Sequence, residues 1–247
     1  MILNLFKKGY FLVILKKFIK RFEKNNSKLA LEWAKKNSKI NTEEYCKSID
    51  PDLWEETKTE CTKILDEGNK ILKKYNHSLG GGGNFFLLYF FVRKIKPTVV
   101  VETGIAAGWS SVAILRALKT NNFGKLFSSD FPYFRLKDPE KYIGVLPKNE
   151  NNKGFWELDI RGDEIALPNF INKIGISNID LFHYDSDKSY SGREFALNKL
   201  SKKINKNSII IFDDIQNNLH FKDYVTKYNF KYTVLEFQKK YLGIINY

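Results

Sequence analysis

The sequence is poor in cysteine and has no long apolar run. Only 2 of its 247 residues are cysteine, and the spacing of Cys46 and Cys61 matches neither a metal-ligand nor a redox motif. We therefore expect a reducing compartment, the cytoplasm. No segment reaches the roughly 18–20 consecutive apolar residues that span a bilayer. The longest early apolar run, residues 10–15, is bracketed by lysine pairs and lacks the small-residue cleavage site of a signal peptide.

Acidic residues are also few relative to basic ones. The chain has 28 Asp and Glu against 41 Lys and Arg, which gives a formal net charge of +13. Such an excess favours nucleic acid or an anionic membrane as a partner. However, the lysines are scattered among many asparagines and isoleucines, and no basic-and-aromatic module of a nucleic-acid-binding type is present. We therefore expect no nucleic-acid partner.

The first 79 residues carry helical patterns and no recognisable catalytic motif. Apolar residues recur every three or four positions among the lysines of residues 1–24, which predicts a basic amphipathic helix. This helix packs on the rest of the chain or on a second copy in a homodimer, or it lies peripherally on the inner face of an anionic membrane; we favour packing. Further helices are predicted from Ser27, as N-cap, to about Lys36 and over residues 54–75, with Pro51, after Asp50, as the position where the second helix could start. We assign residues 1–79 as a helical extension for oligomerisation, substrate cover or membrane contact.

A strand, a glycine turn and a helix follow one another near the middle of the chain. The β-branched residues 98–101 predict a buried parallel strand that ends in Glu102. Gly104 and Gly108 then allow the backbone to approach a ligand, and the start of the helix predicted over residues 107–119 favours anionic groups. The Gly-x-x-x-Gly spacing differs from the Gly-x-Gly-x-x-Gly dinucleotide fingerprint. It therefore argues against a dehydrogenase.

From residue 96 onward, predicted strands and helices alternate, which is typical of a parallel α/β sheet. The loop over residues 131–152 contains three prolines and is interpreted as a lid or substrate loop. The last two strands are joined by a short connection and predict an antiparallel hairpin. The predicted strands are residues 98–102, 125–129, 155–159, 179–184, 208–212, 230–237 and 241–246.

Residues 102–111, Glu-Thr-Gly-Ile-Ala-Ala-Gly-Trp-Ser-Ser, resemble motif I of class I S-adenosylmethionine-dependent methyltransferases of the bacterial O-methyltransferase type. The alternative is an ordinary strand–turn–helix of another doubly wound protein. The resemblance covers residues 80–247 and implies one α/β methyltransferase domain. Its fold would be a Rossmann-like, doubly wound, seven-stranded and mostly parallel sheet with an antiparallel terminal hairpin. It also implies that adenosylmethionine binds at Glu102, Gly104, Gly108, Ser110 and Ser111.

Other polar positions extend this predicted cofactor site. The resemblance implies that the four glycines and the asparagine of residues 80–84 close over the cofactor, although a simple hinge is the alternative. Asp130 ends the second predicted strand, where an acid accepts hydrogen bonds from ribose hydroxyls, of adenosylmethionine or of NAD alike. The resemblance places Asp163 near the adenine; a helix N-cap is the equal alternative. Asp185, after the fourth predicted strand of the domain, completes the set.

Three carboxylates follow two strands that are neighbours in the methyltransferase sheet order. Asp185 follows one strand, and Asp213 and Asp214 follow the other. Carboxylates in one crevice repel each other unless a cation lies between them. Mg²⁺ or another hard divalent cation prefers such oxygen ligands. The sequence therefore predicts a metal site at Asp185, Asp213 and Asp214.

Lys188, three residues after Asp185, strengthens the resemblance to metal-dependent catechol-type O-methyltransferases. There, an acid, a lysine three residues later and an acidic or Asp-Asn pair form the catalytic set. The resemblance implies that Lys188 is the general base, with Asp185 as the second catalytic residue. The metal would acidify the acceptor hydroxyl. Two departures are that Asp214 stands where Asn is usual, and that many polysaccharide-locus relatives have histidine in place of Lys188.

These features predict an adenosylmethionine-dependent O-methyltransferase, assisted by a divalent metal, that acts on a hydroxyl of a small molecule or glycan. Relatives of this kind modify polysaccharides or secondary metabolites. One alternative is a peripheral membrane-binding protein that uses only the N-terminal helix. Another is a nucleic-acid methyltransferase, although residues 184–187 lack the Asn-Pro-Pro-Tyr-like tetrad of that class. His183 and His220 are given no catalytic role.

Overall fold

The computed structural model describes Leu15, residues 26–133 and residues 136–246. The amphipathic helix predicted over residues 1–24 therefore lies outside the described residues, except for Leu15. No helix in the described ranges is both long enough and apolar enough to cross a bilayer.

Within these ranges the chain forms eight α-helices and eight β-strands. The helices are α1 (Ser27–Asn37), α2 (Thr42–Ile49), α3 (Pro51–Leu72), α4 (Phe85–Ile95), α5 (Trp109–Asn121), α6 (Asp163–Ile174), α7 (Tyr190–Leu200) and α8 (His220–Lys227). The strands are β1 (Ser38–Asn41), β2 (Val99–Thr103), β3 (Lys125–Ser129), β4 (Trp156–Asp159), β5 (Leu181–Tyr184), β6 (Ile209–Phe212), β7 (Lys231–Phe237) and β8 (Lys240–Asn246).

All eight strands form one sheet in the order β1-β7-β8-β6-β5-β2-β3-β4. Only β8 runs antiparallel to its neighbours, because it forms the terminal hairpin with β7 and also pairs with β6. The predicted doubly wound sheet with a terminal antiparallel hairpin is confirmed. In addition, the neighbouring positions of β5 and β6 bring the ends of these two strands together.

One strand was not predicted. Residues 38–41 lie in the part of the chain predicted as helical, but they form β1 and pair in parallel with β7 at the edge of the sheet. The sequence Ser-Lys-Ile-Asn has no apolar alternation, because β1 is an edge strand with largely exposed side chains. The N-terminal extension thus adds an eighth strand to the sheet. It is also tied to α4, because Asn84 Nδ2 donates to Thr42 Oγ1 at 2.6 Å.

Helices cover both faces of the sheet and define two apolar cores. The apolar residues of α3, α4 and α5 pack on one face, and those of α1, α6, α7 and α8 pack on the other. β2 lies between them with all five residues buried, as its β-branched sequence predicts. The helix whose periodicity runs over residues 54–75 begins at Pro51, the start that the sequence indicated, and Asp50 Oδ1 caps it by accepting the Leu53 N–H at 3.0 Å.

The second half of the loop over residues 131–152 is fixed by backbone hydrogen bonds. This half forms two short 3₁₀ turns, Pro139–Tyr142 and Pro147–Asn149. Between them, the Gly144 and Leu146 N–H groups donate to carbonyl oxygens of the turn after β2, at 2.8 and 3.0 Å. This part of the loop is therefore a fixed wall beside that turn.

Candidate active site

The turn between β2 and α5 lies against the loop that follows β5. Gly104 has a φ of 79°, and a Cβ atom at this position would overlap the backbone of Asp185 and Ser186. A side chain would therefore force the two loops apart. Gly104 thus allows the neighbouring loop to approach, and its contact with a cofactor remains a prediction. The close approach places Asp185 directly beside the predicted cofactor turn.

Asp130, at the end of β3, holds the same turn from the other side. Its Oδ2 accepts the N–H groups of Ile105 and Ala106 at 2.9 and 2.7 Å, and its Oδ1 accepts that of Phe131 at 2.6 Å. Burial raises the pKa of Asp130 to about 6, although the hydrogen bond from Ala106 and the others oppose this rise. The predicted contact with a ribose remains a prediction, but the residue is at the carboxyl edge of the sheet where that contact requires it.

Glu102 is fully buried beneath the turn. Its Oε2 accepts hydrogen bonds from Ser111 Oγ at 2.6 Å and Ser128 Oγ at 3.1 Å. Its Oε1 lies 3.5 Å from His183 Nδ1. Ser110 is also buried, at the start of α5. Glu102 and Ser111 therefore support the turn from below, and their contact with a cofactor remains a prediction.

Asp163 links two strand ends and does not cap its helix. It is the first residue of α6, and Gly162 takes the N-cap position. The Asp163 carboxylate accepts hydrogen bonds from Ser129 Oγ, at 2.6 Å, and from Ser186 Oγ. The N-cap alternative is therefore wrong. Asp163 lies between the ends of β3 and β5, next to Asp130.

Lys188 is paired with two of the predicted acids. Its Nζ contacts the Asp185 carboxylate, donates to the Asp185 carbonyl oxygen at 3.0 Å, and lies 3.1 Å from Asp214 Oδ2. Burial lowers the pKa of Lys188, although the charges of Asp214 and Asp213 oppose this effect. The lysine, Asp185 and Asp214 thus form one cluster, and the catalytic roles of Lys188 and Asp185 remain predictions.

Lys240 joins this cluster and was missed by the sequence analysis. Its Nζ lies 3.3 Å from Asp214 Oδ1. Lys240 is the first residue of β8, and the sequence analysis placed it in the connection of the terminal hairpin. Only the order of strands, with β8 beside β6, shows that it reaches Asp214.

Asp213 is directed to a different partner. Its Oδ2 lies 3.8 Å from His183 Nε2. The same oxygen would be 3.1 Å from a Cβ atom at Gly83. Asp213 therefore lies between a buried histidine of β5 and residues 80–83, the glycine segment before α4.

The predicted metal site does not fit this arrangement of side chains. Over residues 26–133 and 136–246, no group of three or more His, Cys, Asp or Glu residues is arranged to hold a metal ion. The charges that would attract a cation are already balanced, because Lys188 and Lys240 pair with Asp185 and Asp214. We therefore derive no catalytic step through a metal.

The glycine segment spans the candidate site. At its start, the Leu79 carbonyl oxygen accepts the Ala107 N–H at 3.1 Å and the Tyr133 hydroxyl at 2.7 Å. At its end, Gly83 lies against Asp213. Residues 80–83 thus run from the cofactor turn to the end of β6. That this segment closes over a cofactor remains a prediction, with a hinge as the alternative.

Residues 101–215 match the model of a family described as a methyltransferase domain. No curated protein matches the chain. Several solved structures share its fold at low sequence identity. The O-methyltransferase TomG from Streptomyces achromogenes, solved with SAM, is 15% identical with a TM-score of 0.55, over 74% of this chain and 87% of TomG.

Two further structures agree. An O-methyltransferase from Bacillus cereus, solved with SAH, is 13% identical with a TM-score of 0.56, over 76% of this chain and 90% of that one. A methyltransferase from Geobacter sulfurreducens is 17% identical with a TM-score of 0.54, over 74% and 89%. The resemblance to class I methyltransferases that motif I indicated is confirmed.

Proposed function

We propose that this chain, whose residues 101–215 match the model of a methyltransferase domain, transfers a methyl group from S-adenosylmethionine to a hydroxyl group of a small molecule or glycan. The observation that carries this proposal is the position of Lys188 between Asp185 and Asp214, beside the glycine turn of residues 104–108. TomG and the Bacillus cereus enzyme, which share the fold, were solved with SAM and SAH. Their cofactors support the choice of methyl donor.

The cofactor site of this chain fits that donor. The turn after β2 offers the N-terminus of α5 at one end of the crevice. Asp130 directly follows β3, and Asp163 is the first residue of α6. Both lie at the sheet edge where the ribose and adenine are expected. When bound, adenosylmethionine supplies an electrophilic methyl group on a sulfonium and leaves as S-adenosylhomocysteine.

Lys188 would act as the base. A lowered pKa increases the neutral fraction of its amine, which can accept the proton of the acceptor hydroxyl as the oxygen attacks the methyl carbon. The proton ends on Lys188 Nζ, and the resulting ammonium is stabilised by Asp185 and Asp214. Asp185 and Asp214, which the sequence predicted as metal ligands, would therefore stabilise the positive charge of Lys188.

Two measurements test the proposal. Titration calorimetry with S-adenosylhomocysteine tests the donor, and release of S-adenosylhomocysteine in the presence of catechols, polyols and sugars tests the reaction. We expect binding by the wild type and by Lys188→Met alike, and product release by the wild type only. Lys188→Arg keeps the charge without a usable base and should also be inactive. Absence of S-adenosylhomocysteine binding, or full activity of Lys188→Met, would overturn the proposal.

A further inference from the structure

Arg193 lies between the two loops that carry the acidic residues. It extends from α7 and is the largest fully buried side chain of the described part of the chain. Its Nη2 donates to the carbonyl oxygens of Asp213 and Asp214, at 3.0 and 2.7 Å. One guanidinium arm thus holds two successive residues of the loop after β6.

Asn218 continues this contact to the loop after β5. It is also buried, and its Nδ2 donates to the carbonyl oxygen of Lys188 at 2.7 Å. Its Oδ1 accepts Arg193 Nη1 at 3.4 Å and the His220 N–H at 3.0 Å. A continuous chain of hydrogen bonds therefore joins the backbone of Lys188 to the backbone of Asp213 and Asp214.

A buried guanidinium is an expensive way to pack a helix against a sheet. Removing the charge from water costs free energy that an apolar side chain of similar length would not incur. Burial lowers the pKa of Arg193, and its Nε has no hydrogen-bond partner among the described residues. The hydrogen bonds of its Nη1 and Nη2 go to Asn218 and to the loop backbone. This arrangement indicates that the main role of Arg193 is to stabilise the loops and not the packing of α7 on the sheet.

The loop that Arg193 holds has an uncommon backbone. Asp214 has a φ of 52°, in the left-handed region that non-glycine residues seldom adopt. That conformation directs Asp214 toward Lys188 and Lys240. The planar, forked guanidinium holds the carbonyl groups of Asp213 and Asp214 through Nη2 and Asn218 through Nη1 at the same time, which a lysine cannot do with the same geometry.

We propose that Arg193 and Asn218 are positioning residues that hold the loops of Lys188 and Asp214 in register, so that the base and its stabilising carboxylate remain paired. The inference rests on the proposed role of Lys188 in methyl transfer. Neither residue touches the reacting atoms in this scheme. Both act through the backbone of the loops.

The test compares Arg193→Lys, Arg193→Met and Asn218→Asp with the control Lys199→Met. Lys199 is an exposed basic residue of the same helix, with its Nζ 5.8 Å from the Phe195 ring. The measurements are hydrogen exchange of residues 185–190 and 213–219, affinity for S-adenosylhomocysteine, thermal unfolding and methyl transfer. We expect faster exchange in both loops of the Arg193 variants and wild-type behaviour of the control.

Asn218→Asp separates positioning from stability. The new carboxylate keeps the acceptor for Arg193 and for the His220 N–H, so the melting temperature should be unchanged or higher. It loses the donor to Lys188, so exchange of residues 185–190 should rise, and kcat should fall by about 100-fold with an unchanged KM for adenosylmethionine. This variant also carries the test if the Arg193 variants do not fold.

Wild-type exchange and wild-type kcat in Asn218→Asp would overturn the inference. So would a fall in kcat that merely follows a lower melting temperature. The exchange measurement needs no acceptor substrate. It therefore remains decisive if Lys188→Met proves active and the proposed function fails.

Discussion

His183 and Glu102 face each other on neighbouring strands at the centre of the sheet. They are register partners of β5 and β2, and His183 Nδ1 lies 3.5 Å from Glu102 Oε1. On its other side, His183 Nε2 lies 3.8 Å from Asp213 Oδ2. A buried imidazole between two carboxylates is thus located directly under the candidate site.

This relationship predicts a pH-dependent stability. Burial opposes the charged imidazole, but the nearby carboxylates of Asp213 and Glu102 outweigh it and raise the pKa of His183 to about 9. Because the folded-state pKa is above the ordinary value near 6.5, the stabilisation is complete below about pH 6.5 and is lost as the pH rises through 9. The loss should be on the order of 3 kcal/mol.

Urea unfolding at pH 6, 7.5 and 9 measures this loss in the free energy of unfolding. His183→Gln, which cannot be protonated, should be less stable than the wild type at pH 6 and should show a flatter dependence over this range. The prediction is contradicted if both proteins lose stability in parallel between pH 6.5 and 9.

Asp130 predicts a second pH dependence, in cofactor affinity. Its ionised carboxylate accepts hydrogen bonds from ribose hydroxyls more strongly than the protonated acid does, and burial raises its pKa to about 6. As the pH falls below 6, the protonated fraction grows, and the affinity for S-adenosylhomocysteine should fall by about tenfold per pH unit. Above pH 7 the affinity should be constant.

Titration calorimetry between pH 4.5 and 8 checks this slope. Asp130→Asn should bind weakly at every pH and without the slope, because it has no group that titrates there. An equal slope in both proteins would assign the dependence to another group.

The glycine segment offers a matched pair of substitutions. A Cβ atom at Gly83 would lie 3.1 Å from Asp213 Oδ2, and the residue has a φ of 53°. Gly81, two residues earlier, has open space around its Cβ position and is not among the residues of positive φ. Gly83→Ala should therefore displace the segment or Asp213, whereas Gly81→Ala should leave both in place.

We expect Gly83→Ala to weaken S-adenosylhomocysteine binding by about tenfold, since a loop that is held open loses its contacts with the ligand. Calorimetry of the two variants under identical conditions is sufficient. Equal affinities would show that residues 80–83 are a hinge and not a cover.

Patterns within single segments predicted most of the fold. The valines of β2 and the isoleucines of β6 predicted buried strands, because parallel strands covered on both faces are almost wholly apolar. β1 was missed because an exposed edge strand carries no such pattern. The bounds of the predicted strands, and of the helices predicted over residues 27–36, 54–75 and 107–119, shifted by only a few residues.

Fewer contacts of the candidate site could be predicted from the sequence. Asp185 and Lys188 are three residues apart, so their pairing could be predicted from a local motif. Lys240 and Asn218 act across elements, on Asp214 and on the backbone of Lys188. Contacts of this kind depend on strand order and loop conformation, which no local pattern records.

The lysine pairs predict how the chain responds to divalent ions. Lys188 and Lys240 balance Asp185 and Asp214, so a metal ion would have to displace two ammonium groups from their carboxylates. We expect the wild type to show no one-to-one Mn²⁺ binding tighter than about 0.1 mM, and its S-adenosylhomocysteine affinity to be unaffected by chelator. The double variant Lys188→Met and Lys240→Met leaves the carboxylates unbalanced and should bind Mn²⁺ more tightly than the wild type.

Calorimetry with Mn²⁺ and with Mg²⁺ distinguishes a cluster balanced by lysines from a metal site. Tight binding by the wild type that is lost in Asp214→Asn would restore the metal site that the sequence predicted at Asp185, Asp213 and Asp214. A second pair of substitutions, Lys199→Met with Lys202→Met, removes two exposed lysines and is the control for the change in net charge. If it raises Mn²⁺ affinity as much as the double variant does, the effect comes from the overall charge of +13 and not from the cluster. A gain confined to the double variant would instead show that the two ammonium groups occupy the position of the cation.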